Sequence, residues 1–327
     1  MKQSLELNNV YVLATSTVAG SLEGKGPLRD HFTKVYDNQY AGENSFEDAE
    51  KKMLKDACLL LMSKSTISKH VDMILGGDLS NQINVSNYIA SLFKLPFIGV
   101  YGACSTSVLS MIVASSYIET GLIQGALCFT SSHNGAAERQ FRYPTEYGVQ
   151  RKDTSTWTAT GAGAIVLSNK KSDIQITRFT LGKVIDWDYK NVNDMGSAMA
   201  PAAYDTLKVH LEDFNLSPNY YDLILTGDLS KVGSEILISL MKKDNITITN
   251  HNDCGLLLYD MNKQNVDSGG SGAACSALVT FSYIINKLKK RELTKVLLIA
   301  TGALHSSTSS QQKHSIPAIA HAIALEV

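Results

Sequence analysis

The sequence YGACSTSVLSMIVASSYI (residues 101–118) recurs later in the chain as SGAACSALVTFSYII (residues 271–285). In both copies a turn containing Ala-Cys-Ser leads into a run of small and apolar residues, which is typical of a buried helix. Because Ala, Ser and Gly allow close packing on every side, we expect residues 103–116 to form a central helix.

Two further landmarks repeat in the same order around this motif. VDMILGGDLS (71–80) returns as YDLILTGDLS (221–230), and the strand after each helix leads to a histidine, His133 in the first copy and His305 in the second. Three matched landmarks in one order indicate an internal duplication. We therefore predict two related α/β halves, near residues 1–170 and near residues 171–327.

The segments between the landmarks support an α/β fold, because short β-branched runs alternate with helical patterns. Ser45 and Asp48 form an acidic variant of a capping box, which predicts a helix over FEDAEKKMLKDACLLLMSKS (46–65). Buried strands are predicted at 71–77, 96–102, 125–132 and 159–168.

Composition excludes several classes of protein. The 327 residues are 44% hydrophobic, and 30 basic against 31 acidic side chains give a net charge of −1, so we predict no nucleic-acid partner. Five cysteines without a C-x-x-C pair favour a reducing compartment over a disulfide framework or a zinc site. No signal-peptide pattern and no apolar run long enough for a membrane span is present, so the chain itself is predicted to be soluble.

Cys104 lies where the predicted central helix begins. Unpaired N–H groups and the helix dipole lower the pKa of a thiol at such a position, which would make it a nucleophile. The same position also suits a carboxylate held without any covalent step. The plain alternative is a small buried side chain. Cys275, at the matching position of the second copy, is predicted to be a core residue.

A duplicated α/β unit with a cysteine at the start of a central helix resembles the thiolase superfamily, which includes the ketoacyl synthases. Within it, the chain is similar to a sporulation family of endospore-forming bacteria, the stage V sporulation protein AD family. The segments that carry this similarity include EGKGPLRDHF (23–32), SSHNGAAERQFRYPTEYGVQR (131–151), MGSAMAPAAYDT (195–206) and HNDCGLLLYD (251–260). The resemblance covers essentially the whole chain and implies a thiolase-like fold with α-β-α-β-α layers.

The resemblance also implies a function. Members of the family are implied to bind dipicolinic acid, free or as its calcium chelate, and to help move it into the developing spore. The implied partners are other proteins of the same operon, and the soluble chain would be peripheral at the spore inner membrane. A homodimer is implied as well, with the strands near Gly125–Ser132 pairing between subunits. We expect no cofactor and no metal held by the protein.

One departure from the superfamily argues against catalysis. A condensing enzyme pairs its cysteine with a histidine, here expected within residues 226–229, and with an asparagine or second histidine, here expected within residues 268–272. Neither window contains such a residue. A thiol without these partners is a poor acyl-transfer catalyst, so we predict a binding protein and not an enzyme. The alternative is a condensing enzyme or acyltransferase with Cys104 as its nucleophile.

The candidate binding residues follow from the ligand's chemistry. Guanidinium groups match the two carboxylates of dipicolinate, and an aromatic side chain can stack on its ring. The equally weighted alternative is that the arginines and aromatics of residues 131–151 tie a long loop to a partner subunit. Residues 195–199 are read as a small-residue loop passing near this site. The predicted pocket residues are Cys104, Ser105, His133, Arg139, Arg142, Tyr147, Trp157, Asp228 and His305, with Arg151 and Tyr143 as further candidates.

Overall fold

The computed structural model describes residues 3–327, in which strands and helices alternate along the chain. The strands are β1 (Ser4–Glu6), β2 (Tyr11–Ala19), β3 (Lys34–Val35), β4 (Met73–Asp78), β5 (Phe97–Gly99), β6 (Gly125–Ser132), β7 (Trp157–Thr158), β8 (Gly161–Ser168), β9 (Gln175–Thr180), β10 (Leu223–Thr226), β11 (His251–Asp253), β12 (Gly270–Ser271), β13 (Lys295–Ala303) and β14 (Ala318–Glu326). The helices are α1 (Phe46–Met62), α2 (Ser65–Ser68), α3 (Asn84–Ser91), α4 (Thr106–Glu119), α5 (Asn134–Phe141), α6 (Met195–Phe214), α7 (Ser230–Lys243), α8 (Cys254–Leu258), α9 (Ala273–Leu278), α10 (Ile285–Lys289) and α11 (Ser307–Gln311). A π-helical segment, Val279–Ile284, joins α9 to α10.

The duplication is visible in the strand order, which is β5-β4-β6-β8-β2 in one half and β11-β10-β13-β14-β9 in the other. The orientations match as well: the first three strands of each set are parallel, and the next two pair antiparallel. The two sets join where Tyr11 of β2 pairs with Gln175 of β9. This repeated topology agrees with the matched landmarks in the sequence.

Five layers follow from the packing. Helices α1 and α3 cover the outer face of the first strand set, and α6 and α7 cover the outer face of the second. Helix α4 lies between the two sets, touching β4 and β6 on one side and β13 and β14 on the other. It also contacts α9, and Ser107 Oγ lies 2.7 Å from Ser276 Oγ across that contact. The predicted central helix and the α-β-α-β-α layering are confirmed.

The local signals for α1 are also confirmed. Ser45 precedes the helix with extended backbone, and its Oγ accepts a hydrogen bond from the Asp48 backbone N–H at 3.1 Å. One face of α1, formed by Phe46, Ala49, Met53, Cys58 and Leu61, is buried. All of these except Phe46 belong to the core between α1 and the strands of the first half.

The predicted strands are present, with small differences in length. The strand predicted at 125–132 is β6 itself, whereas the strand predicted at 96–102 shortens to Phe97–Gly99. The expectation that β6 pairs with a partner subunit is wrong. This strand has no free edge, because β4 and β8 already occupy its two edges. The open edge of this strand set belongs to β5.

The two cysteines of the repeat are not in equivalent places. Cys104 precedes the first residue of α4, whereas Cys275 is the third residue of α9. When the two Ala-Cys-Ser motifs are aligned, the two helices therefore start at different positions relative to the motif. Cys275 is fully buried, so its prediction as a core residue is confirmed.

Candidate functional site

A cavity opens at the start of α4, where the two halves meet. Its unfilled space is about 510 Å³, including the open mouth. The turn before α4, the helices α5 and α6, the strands β7 and β12 and the end of β13 supply the walls. The lining side chains are largely apolar and include Leu79, Tyr101, Ala103, Cys104, Ala137, Phe141, Arg142, Thr156, Thr158, Met195, Met199, Ser271, Ala303 and His305.

Cys104 is presented to this cavity by a tight turn. Ala103 has a φ of 50°, a left-handed conformation that is uncommon for a residue with a Cβ. The turn is held by its own side chains: Ser105 Oγ donates to the Gly102 carbonyl at 2.6 Å and Thr106 Oγ1 donates to the Ala103 carbonyl at 2.7 Å. As a result Cys104 is the one cysteine of the five that is not fully buried.

Two residues of the second half reach Cys104. Its Sγ lies 4.0 Å from Ser271 Oγ, and Ser271 Oγ donates to Asp228 Oδ2 at 2.8 Å. Asp228 also accepts from the Gly272 backbone N–H at 3.1 Å and from Thr301 Oγ1 at 2.6 Å. Asp228 and Ser271 lie in the two windows where the sequence lacks the histidine and asparagine of a condensing enzyme. The geometry therefore places a carboxyl and a hydroxyl beside the thiol.

The electrostatics of this cluster keep the thiol protonated. Burial, together with the negative charge of Asp228, raises the pKa of Cys104 well above its usual value. Burial also raises the pKa of Asp228, against the opposing effect of its hydrogen bonds. Because the thiolate is the nucleophilic form of cysteine, these shifts oppose nucleophilic chemistry at Cys104.

Three polar side chains face the same cavity from other directions. Arg142 donates from Nε and an Nη to the two oxygens of Glu138, at 2.9 and 2.6 Å. Thr156 is 1% exposed, and its Oγ1 has no hydrogen-bond partner in the described chain. His305 packs against the ring of Phe141 at 5.4 Å, and burial lowers its pKa. The cavity thus offers a cation, an unpaired hydroxyl and a neutral imidazole.

The structure brings together only some of the predicted residues. Cys104, Arg142 and His305 line the cavity. Asp228 is not part of the lining, but it accepts a hydrogen bond from the lining residue Ser271. The other predicted residues lie elsewhere: Ser105 inside the α4 turn, His133 and Arg139 along a neighbouring cleft, Tyr147 exposed on a loop, and Trp157 against another cavity. His133, predicted as a pocket residue, does not line the Cys104 cavity, and its Nδ1 accepts from the Gly135 N–H at the start of α5.

Two of the candidate arginines are occupied in structural contacts. Arg151 is paired with Asp267, with 2.5 Å between Nε and Oδ2, and its guanidinium lies over the Trp157 ring. Arg139 forms an exposed ion pair with Glu47. These contacts fit the alternative interpretation, in which the arginines hold a loop in place. The residues that pair with them belong to this same chain.

Sequence reasoning missed several lining residues. Met195 and Met199 belong to the first turns of α6, capped by Asp194, so the predicted loop is wrong while its closeness to the site is confirmed. Thr156 carried no signal, because its importance comes from an unpaired hydroxyl that only the fold reveals. Ser271 lay in a window searched for asparagine, so its position was identified but not its role.

Within residues 3–327, no cluster of three or more His, Cys, Asp or Glu side chains is arranged to hold a metal ion. In the same range, no helix combines the length and apolarity needed to cross a bilayer.

The fold is that of the thiolase-like condensing enzymes. It is similar to 3-oxoacyl-[acyl-carrier-protein] synthase III from Aquifex aeolicus, with a TM-score of 0.57 and 12% identity over 97% of this chain and 100% of that one. It is also similar to cerulenin-bound OleA from Xanthomonas campestris, with a TM-score of 0.62 and 12% identity over 99% and 98% of the two chains.

Within that class, the chain belongs to the stage V sporulation protein AD family, whose model matches residues 1–326. It is 49% identical over 319 residues to stage V sporulation protein AD of Bacillus subtilis (strain 168), covering 97% of this chain and 94% of that protein.

Proposed function

We propose that this sporulation protein binds dipicolinic acid in the Cys104 cavity, without chemical turnover, as a step in moving dipicolinate into the developing spore. The observation that supports the proposal is that Asp228 and Ser271, and not a histidine and an asparagine, lie beside a thiol whose pKa is raised. A condensing-enzyme cavity with this lining keeps its shape but lacks an activated nucleophile.

The cavity chemistry suits a planar dicarboxylate. Arg142 uses two guanidinium donors on Glu138, which leaves others free to meet a carboxylate. Thr156 Oγ1 offers a further donor, and the apolar wall of Met195, Met199 and Phe141 suits an aromatic ring. The buried carboxyl of Asp228 disfavours a dianion, so the neutral calcium chelate is the better-matched form of the ligand.

Isothermal titration with dipicolinate, with and without calcium, tests binding at this site. We expect saturable heat at millimolar ligand, and loss of the part that comes from the Cys104 cavity in Ala303→Leu, which places a larger side chain in the wall of that cavity. Arg142→Gln, made together with Glu138→Gln so that no buried carboxylate loses its cation, should weaken binding at least tenfold. Arg139→Gln is the matched control from the same helix, and its affinity should not change. Absence of heat, or equal affinity in the wild type and Ala303→Leu, would overturn the proposal.

The condensing-enzyme alternative is tested on the same protein. Incubation with acyl-CoA followed by intact-mass measurement should show no adduct on the wild-type chain. An acyl adduct that disappears in Cys104→Ser would establish acyl transfer and contradict the non-catalytic proposal.

The proposed setting is the spore inner membrane, with other proteins of the same operon as partners and the chain acting as a peripheral homodimer. Membership of the sporulation family supports this setting. Co-purification of the chain from sporulating cells with membrane proteins of its operon, and its release by high salt without detergent, would be the expected behaviour. Recovery in the free soluble fraction alone would contradict it.

A further inference from the structure

A second cavity adjoins the Arg142–Glu138 ion pair, and Arg142 lines both this cavity and the Cys104 cavity. It is bounded by the start of α5, by the loop that follows α5, and by Trp157 of β7. Its unfilled space is about 1270 Å³, including the open mouth. We propose that this second cavity is an oxyanion-binding site, distinct from the Cys104 cavity.

Two buried nitrogen donors in its wall lack acceptors. Neither Asn134 Nδ2 nor Trp157 Nε1 has a hydrogen-bond partner in the described chain, and Asn134 is 3% exposed. An indole N–H can only donate, and a buried donor without an acceptor destabilises the folded protein. A ligand that supplies acceptor oxygens would recover this free energy.

The charges around the cavity also favour an anion. Arg142, Arg151 and Lys152 line it, and Glu138 is its one acidic lining residue. Glu138 is already paired with Arg142, and its Oε1 lies 3.8 Å from an Nη of Arg151, which is itself paired with Asp267 outside the lining. Lys152 forms no ion pair within residues 3–327, so its positive charge is not neutralised by the chain.

Unpaired nitrogen donors and the unpaired charge of Lys152 together select a ligand with carboxylate or phosphate oxygens. The proposal does not require dipicolinate in the Cys104 cavity, because none of its argument uses Cys104. Arg142 is the one residue of the argument that lines both cavities.

Trp157 is a built-in reporter for this site. The chain has two tryptophans, and the other, Trp187, is 58% exposed in the segment before α6. Trp187→Phe therefore leaves Trp157 as the only source of indole fluorescence. We expect its emission to change saturably on titration with dipicolinate or with inorganic phosphate, tested in separate experiments. A response to dipicolinate indicates carboxylate recognition, and a response to inorganic phosphate indicates phosphate recognition.

Asn134→Asp, in the Trp187→Phe background, replaces the unpaired donor by an isosteric acid and should weaken the response at least tenfold. Its matched control is Asn84→Asp, because Asn84 is also the first residue of a helix but is exposed. If thermal unfolding shows that Asn134→Asp disturbs the fold, Lys152→Gln at the exposed rim takes its place, with an expected weakening of about fivefold.

Absence of a saturable response to both probes, or an undiminished response in the folded Asn134→Asp and Lys152→Gln proteins, would overturn the proposal. Ala303→Leu separates the two cavities. It should leave the Trp157 response intact even though it removes the heat expected from the Cys104 cavity. A Trp157 response lost in Ala303→Leu would assign the signal to the Cys104 cavity and contradict a second site.

Discussion

At the residue scale, the behaviour of Cys104 is decided by what surrounds its sulfur. A left-handed Ala103 and the start of α4 present the thiol to a cavity, which is the arrangement of a nucleophile. Burial and Asp228 act in the opposite direction and keep the thiol protonated. A helix start alone therefore does not predict a reactive cysteine, because a buried carboxyl at the same point reverses its effect on the pKa.

Alkylation rates report how far burial and Asp228 suppress the thiolate form of Cys104. Cys104 should react slowly with iodoacetamide at neutral pH, and Asp228→Asn should lower the pH at which its alkylation becomes half-maximal, since the amide carries no negative charge. Rates followed by peptide mass spectrometry check this, with the four fully buried cysteines as internal controls. Rapid alkylation of wild-type Cys104 at neutral pH, with no effect of Asp228→Asn, would show that the thiol is activated after all.

Thr156 gives a second prediction at this scale. Thr156→Val removes a buried hydroxyl that has no partner, so the unliganded protein should gain about 1 kcal/mol in its free energy of unfolding. The same change should weaken dipicolinate binding up to tenfold, because the ligand loses a donor. Chemical denaturation and calorimetry provide the two measurements.

Ser115→Ala is the control for Thr156→Val. Ser115 Oγ is also buried and unpaired, but it lies in α4 and does not line the cavity. This variant should leave ligand affinity unchanged. An unaltered affinity in Thr156→Val would remove Thr156 from the binding site.

At the scale of elements, a buried carboxyl links α1 to the sheet. Glu50 of α1 is 3% exposed and accepts a hydrogen bond from Ser131 Oγ of β6 at 2.8 Å. Burial, with the nearby charge of Asp78, raises the pKa of Glu50 to about 8. Burial therefore favours the protonated form of Glu50 in the folded protein, although the hydrogen bond from Ser131 acts in the opposite direction.

The pH dependence follows from this shift. Below the ordinary pKa of 4.5 Glu50 is protonated in both states, whereas between that value and about 8 only the unfolded chain ionises. Each pH unit in that window thus lowers the free energy of unfolding by up to about 1.4 kcal/mol. Glu50→Gln should stabilise the protein at pH ~8 by a few kcal/mol and have little effect at pH ~4.

Urea denaturation at both pH values tests this prediction, with Glu235→Gln on the exposed face of α7 as the control. The control should change stability little at either pH. A Glu50→Gln effect of the same size at pH ~4 and pH ~8 would contradict a raised pKa.

The elements also show what the sequence could predict. Helix α1 and strand β6 were predictable because cap residues and apolar patterns are local signals. The start of α6 was missed because Gly196 and Pro201 weaken helical propensity, while Asp194 and burial against α7 and β14 favour the helix. The shift between Cys104 and Cys275 was also unpredictable, since identical tripeptides can occupy different registers relative to a helix start.

At the scale of the whole molecule, the duplication places the Cys104 cavity between the halves. The first half supplies the thiol and Arg142, and the second supplies Ser271, Asp228 and His305. The windows in which a condensing enzyme would carry its histidine and asparagine were predictable, because the family resemblance places them relative to the strand and the helix of the second repeat. Thr156 and the second cavity were not, because they depend on how the loop after α5 packs.

The homodimer is tested by the mass of the native protein, which light scattering should report as twice the 35.6 kDa of the chain. The open edge of β5 is the surface available to a partner's strand. Leu92, which is 50% exposed just before β5, should then lie at the interface, and Leu92→Glu should give a monomer. Leu122→Glu changes an equally apolar, exposed residue before β6 and should remain dimeric. A monomeric wild type, or a dimeric Leu92→Glu, would contradict this interface.

The central claim is that the Cys104 cavity holds dipicolinate without reacting with it. The most direct test is a crystal structure of the protein soaked with dipicolinate and calcium. We predict an intact ligand in the cavity, with a carboxylate within hydrogen-bond distance of Arg142 and Thr156 and no bond to Cys104 Sγ. An empty cavity at saturating ligand, or a ligand bound only elsewhere, would contradict the claim.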